Sequence, residues 1–176
     1  MRVDFSEWYT RPGFVARKYT YSQMGNTRDT ELEVHFSIQA GLSVFTFVNF
    51  IISDLDLTSE TSLRGSLRPM DGSGPKVILN MMGRPDGAGN VVIGISGRED
   101  AGRCLRAYLD GKHMHFEVET TDGEPLIRLP LPNDGVFEPL YREARDQVQA
   151  TDDAEFAGKD AVLGRINRVF RDHSED

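Results

Sequence analysis

The chain has 176 residues, 39% of them apolar, and carries 20 Lys and Arg against 28 Asp and Glu, a formal charge of −8. This is enough apolar material for a real core and too much for a disordered tail. The acidic balance opposes binding to phosphate backbones or anionic lipid headgroups, so no nucleic-acid partner is expected.

The N-terminus has no apolar run behind a basic start, so no secretory signal is expected. Trp8 lies beside Tyr9, Arg11, Phe14, Tyr19 and Tyr21. Such a cluster suits either a partner-binding surface or a first strand pinned on a core. From Glu31 the pattern alternates, with Leu32, Val34, Phe36 and Ile38 on one face, which predicts a strand with its other face in water. The run Leu42 to Ile52 is apolar on both faces and predicts a central strand; spanning a bilayer takes about 20 apolar residues, so no membrane span is expected. Leu55, Leu57, Leu63 and Leu67 continue the alternation, and Pro69 to Pro75 is a turn cluster.

Two hairpins follow. Lys76–Met82 and Val91–Ser96 flank Asp86-Gly87, and His113–Glu119 and Pro125–Leu129 flank Asp122-Gly123; Asp-Gly between alternating runs favours a tight reversal. Between them, Cys104, Leu105, Tyr108 and Leu109 have helical spacing, with Gly111 placed to end a short helix, although the same residues could make a short strand. Cys104 is the single cysteine, which excludes an internal disulfide and suits a reducing, cytoplasmic setting. From Asn133 the spacing becomes helical: Val136, Phe137, Leu140, Tyr141, Ala144 and Val148 share one side. Thr151-Asp152-Asp153 are good N-caps and predict a second helix, striped by Phe156, Val162, Leu163, Ile166, Val169 and Phe170. Residues 133–176 hold 11 acids and 6 bases, whereas residues 1–30 hold 3 acids and 5 bases, so the two ends differ in sign.

The fold class expected is therefore mainly β: an antiparallel β-sandwich or partly closed β-barrel from about residue 10 within a domain 1–132. Residues 133–176 follow as two C-terminal amphipathic helices that pack on this domain or on a partner.

Among candidate chemical groups, His113, His115, Glu117 and Glu119 alternate and so share one face of a strand. Two imidazoles and a carboxylate suit a zinc, iron or manganese ion. The spacing of His113, His115 and Glu119 resembles the first metal motif of the cupin barrels, which implies a divalent metal held in a barrel. The family's upstream glycine is Ala107 here, and the only histidine further downstream is His173. Arg64 and Arg68, with Asp71-Gly72-Ser73 after them, faintly resemble the arginine and Asp-x-Ser signatures of PilZ domains, which bind a cyclic dinucleotide. In that family a barrel segment separates the two signatures, and here two residues do. The plain alternatives are a solvated strand face at 113–119 and two solvated arginines beside a turn. Asp54 to Glu60 sets oxygens at alternate positions but lacks the glycine of a calcium loop. No phosphate-cradling loop or nucleophile elbow is present.

No complete catalytic set emerges. The function expected is a non-enzymatic interaction or structural module with a protein partner or a second copy of itself, contacted through Phe156, Val162, Leu163, Ile166, Val169, Phe170 and Trp8. One alternative is a β-barrel carrier of a small apolar ligand lined by Met81, Met82, Met114 and Phe116. Another is a metal-binding, cupin-like barrel using His113, His115 and Glu119. No other cofactor is expected.

Overall fold

The structure, a computed structural model, describes residues 1–41 and 43–172, with side chains described except at position 156 and from 160 onward. The strands are β1 (Arg2–Phe5), β2 (Tyr9–Arg11), β3 (Phe14–Ser22), β4 (Thr30–Gln39), β5 (Phe45–Ile52), β6 (Thr61–Pro69), β7 (Val77–Pro85), β8 (Val91–Ile95), β9 (Met114–Thr120) and β10 (Pro125–Leu131). Helix α1 (Arg98–Leu109) lies between β8 and β9, and helix α2 (Phe137–Asp172) follows β10.

All strands pair antiparallel in one sheet of order β1-β3-β4-β5-β8-β7-β6-β9-β10, with β2 also against β3. Most neighbours are hairpin partners in sequence. The long-range joins β5–β8 and β6–β9 bend the sheet round until its ends approach. Tyr21 donates its hydroxyl to the Pro130 carbonyl oxygen at 2.9 Å, and Tyr19 to that of Pro132 at 3.4 Å. Pro130 and Pro132 offer carbonyls but no N–H, so this edge cannot complete a ladder, and tyrosine hydroxyls bridge it instead. The result is a nearly closed barrel.

Alternation fills its interior. Leu32, Val34, Phe36 and Ile38 of β4 are all buried, as the period of two predicts. Phe50 of β5 and Phe116 of β9 stack with ring centroids 4.2 Å apart, so opposite walls meet. Met81 lies against Gly65, a large side chain over a bare backbone, the small-and-large fit that closes a narrow barrel. Helix α1 covers one end with Ala101, Cys104 and Tyr108 buried, and Phe137, Tyr141 and Ala144 of α2 pack beside it. Phe36 meets Phe137 at 4.6 Å and Tyr108 at 5.0 Å.

Both Asp-Gly hairpins form, with Gly87 at φ 79° and Gly123 at φ 91°. The short helix before Gly111 forms with 12 residues. Four expectations change. The sheet begins at Arg2 rather than near residue 10, because the first residues pair along β3. The strand predicted from Leu42 starts at Phe45. Leu55 and Leu57 lie in irregular chain between β5 and β6, where they pack on the core without a ladder, so their alternation is not that of a strand.

The fourth change concerns the C-terminus. One helix of 36 residues replaces the two expected, and Thr151-Asp152-Asp153 lie inside it. The Thr151 hydroxyl donates back to the Gln147 carbonyl at 2.9 Å instead of capping a new start. Hydroxyl and carboxyl side chains favour caps only when the backbone before them has already left the helix. Among the described residues, no helix is long and apolar enough to cross a membrane.

Candidate functional site

The alternation on β9 turns Met114, Phe116 and Val118 inward and His115, Glu117 and Glu119 outward. His113 sits just before the strand, where its Nδ1 accepts the Asn133 backbone N–H at 3.0 Å. Glu119 faces Arg64 at 3.6 Å, and His115 lies in register with Arg68 and Pro130. The structure therefore spreads the three candidate ligands along an outer surface and engages each differently. Among the described residues, no group of three His, Cys, Asp or Glu side chains is placed to hold a metal ion.

Glu117, which lies between them, is the hub of this face. It contacts Lys76 at 3.1 Å and Arg128 at 3.3 Å, and accepts the Ser66 hydroxyl at 3.3 Å. Burial would raise its carboxyl, but the Lys76 hydrogen bond and charge, followed by Arg68 and Arg128, hold it below the usual carboxylate range. The depression here, about 330 Å³, is lined by Ile78, Val118, Pro125 and Ile127 together with Lys76, Arg128, Glu117, Arg64 and Glu119, charges that are paired with one another.

The other sequence candidates fall as follows. Arg64 is exposed and paired with Glu119, Arg68 is exposed, and Asp71 accepts the Ser73 N–H at 2.8 Å in a local turn. Asp54 accepts the Thr30 hydroxyl at 2.8 Å, which ties that loop to β4. Gly87-Ala88-Gly89 is a hairpin tip in which Asp86 accepts the N–H groups of Ala88 and Asn90. Cys104 is fully buried, and burial pushes its thiol up, away from the thiolate that reactivity needs. The side chains of the stripe Phe156, Val162, Leu163, Ile166, Val169 and Phe170 lie outside the described residues. The interior side chains proposed to line a carrier cavity are themselves the core: Met81, Met114 and Phe116 are each at most 2% exposed.

Trp8 is half-buried at the end of the barrel, 4.8 Å from Phe137 and 6.4 Å from Phe36 and from Tyr108. It covers a residue that the sequence did not single out. Arg17 points into the barrel with its side chain 2% exposed, and its guanidinium lies 4.5 Å from the Trp8 ring and 4.7 Å from the Phe5 ring. Its Nη2 donates to Asp134 at 2.6 Å. That hydrogen bond is the main reason the Asp134 carboxyl is held below its ordinary range, against a smaller opposing effect of burial. Asp134 also accepts the Val136 N–H, and Asn133 accepts the Gly135 N–H, so the junction between β10 and α2 is built on Arg17. The sequence signal was present: Arg17 stands at an inward position of the alternating series Val15, Tyr19, Tyr21.

A buried carboxylate fixes α1. Asp100 is 5% exposed, accepts the Asn80 backbone and side-chain N–H groups at 2.8 and 3.1 Å, and pairs with Arg103. Burial works against its charge, and these donors overcome it, leaving the carboxyl below its ordinary range. Between α1 and the turn after β6 lies a cleft of about 280 Å³, where Arg103, Arg106 and Lys112 rim an apolar floor.

The chain matches no known protein family, no curated protein and no solved structure.

Proposed function

We propose that the chain is a non-enzymatic interaction module that associates, with a second copy of itself in the first instance, through the distal part of α2. The observation that carries this reading is the length of α2 compared with what the barrel uses. At 1.5 Å per residue the helix runs about 54 Å. Its inward residues Phe137, Tyr141, Ala144 and Val148 all fall in the first third, and Gln149 to Lys159 are exposed wherever described, apart from half-buried Asp152. A helix carried this far beyond its own core is marginal in water unless something covers its apolar side.

The sequence supplies that side. Phe156, Leu163, Ile166 and Phe170 recur at intervals of seven, three and four, with Val162 and Val169 beside them, the spacing of a helix-pairing seam. Charge is uneven along it: Asp152, Asp153, Glu155 and Asp160 with one Lys159 stand in its first half, and Arg165, Arg168 and Arg171 with one Asp172 in its second. Two copies laid antiparallel set each acidic end against a basic one, which favours this pairing over the parallel arrangement.

The test is light scattering on the full chain over a concentration series, with the double variant Leu163→Glu, Ile166→Glu alongside. A concentration-dependent dimer that the double substitution converts to a monomer, with the barrel's melting unchanged, supports the reading. A parent chain that stays monomeric throughout overturns it. So does a double variant that is monomeric yet markedly less stable than the parent monomer, because the stripe is then part of the chain's own core.

A further inference from the structure

We infer that the cleft between α1 and the turn after β6 is a binding site for a small amphipathic anion, such as a medium-chain carboxylate. This site lies apart from the distal helix and does not depend on the self-association reading. The cleft holds about 280 Å³, close to the lower end of small-ligand pockets. Its two halves have opposite character. Leu67, Val77, Ala107 and Met114 make an apolar floor that reaches the core, since Leu67 and Met114 are 1% and 2% exposed. Arg103, Arg106 and Lys112 stand round the rim with one carboxylate, Asp110. The rim is mixed in charge, since Arg103 is paired with Asp100, Asp71 lies near Lys112 and Asp110 stands among them, so the cation left to meet an anion is Arg106.

The walls are held in place. Asp100 pins α1 to β7 through Asn80, and Arg103 is oriented by Asp100. Lys112 donates to the Ser73 backbone carbonyl and hydroxyl at 3.3 and 3.1 Å, which fixes the opposite lip against the chain leading into β9. Arg106, exposed near the C-terminal end of α1, has no ion-pair partner among the described residues. An alkyl or aryl tail on the floor and a carboxylate against Arg106 would satisfy both halves at once. A neutral ligand leaves Arg106 unused, and a compact inorganic anion leaves the floor wet. This differs from a carrier with an internal cavity, because the barrel interior is filled.

The test is calorimetric titration of the full chain with decanoate, kept below its aggregation threshold, and with decan-1-ol. The protein is the parent chain, Arg106→Glu, and Ala107→Trp, which fills the floor. The expected result is saturable decanoate binding that weakens about tenfold or more in Arg106→Glu, the loss of one charge-assisted contact. Decan-1-ol should bind correspondingly more weakly than decanoate, and Ala107→Trp should abolish binding. Absence of saturable binding overturns the inference. Decanoate binding that Arg106→Glu leaves within twofold overturns it as well, and this holds even if Ala107→Trp fails to fold. Equal affinity for decanoate and decan-1-ol overturns it too, because the site then does not read the anion.

Discussion

The hydroxyl of Tyr21 on β3 donates to the carbonyl oxygen of Pro130 on β10 at 2.9 Å, joining strands 109 residues apart across the seam of the barrel. No backbone ladder can form here, because Pro130 on the β10 edge supplies no N–H and β3 is already paired with β1 and β4. A side chain makes the join that the backbone is unable to make. Tyr21→Phe keeps the ring and removes only this bond. It is expected to cost about 1–2 kcal/mol, the value of one such bond plus a carbonyl left without its partner. For a domain of this size that corresponds to a fall of about 2–4 °C in melting temperature per kcal/mol, measurable by calorimetry. An unchanged melting temperature would mean that the seam is held by apolar packing alone.

Arg17 and Asp134 form the second tie, between β3 and the start of α2. Asp134→Asn leaves a buried guanidinium with a neutral partner and is expected to destabilise the chain by about 2 kcal/mol at neutral pH. The figure sits below the range for broken buried pairs because Asp134 is itself partly exposed. The pH dependence has a definite sign. Folding depresses this carboxyl, so its contribution is fully present above the ordinary carboxylate range and is lost as the pH falls through the lowered folded value. Urea midpoints of parent and variant should therefore converge on acidification. A gap that stays constant with pH would assign the effect to packing rather than charge.

Two glycines should respond oppositely to the same substitution. A Cβ on Gly65 would fall on the sulfur and terminal methyl of Met81 inside the barrel. Gly65→Ala is expected to cost about 1–3 kcal/mol as Met81 is displaced. Gly102, within α1, has nothing within 4 Å of the same position. Gly102→Ala should gain about 0.5–1 kcal/mol from the reduced freedom of the unfolded chain and better helix propensity. Chemical denaturation of both variants checks the pair, and a stabilised Gly65→Ala would show that Met81 moves freely.

Cys104 is fully buried, and burial pushes its thiol well above its ordinary range. An aromatic disulfide reagent should release no colour from the native chain at neutral pH and one equivalent on unfolding in guanidinium. Fast reaction of the folded chain would mean that α1 opens readily from the barrel end.

These four sites differ in how visible they were beforehand. Hairpin turns, the inward set on β4 and the helical end of the chain follow from neighbours two to four positions apart, so the pattern alone locates them. The same pattern placed His113, His115 and Glu119 near one another in sequence. It also implied a shared face; His115, Glu117 and Glu119 do point outward from β9, and His113, just before the strand, is engaged by the Asn133 N–H. Asp100 and Asp134 look like two more surface acids in a chain rich in them. Their partners, Asn80 and Arg17, are 20 and 117 residues away, and no local rule supplies that distance.

The sequence by itself determined that this is an antiparallel β protein with an amphipathic helical end, because alternation and three-to-four spacing record which side of each segment must leave water. Only the tertiary structure decided that the sheet curls until Tyr21 reaches Pro130, that Arg17 is enclosed by Phe5 and Trp8, and that α2 runs unbroken past Thr151. Each of these depends on contacts between segments distant in sequence. There, weak local preferences of a few tenths of a kcal/mol are outweighed by the burial and pairing energies of the assembled core.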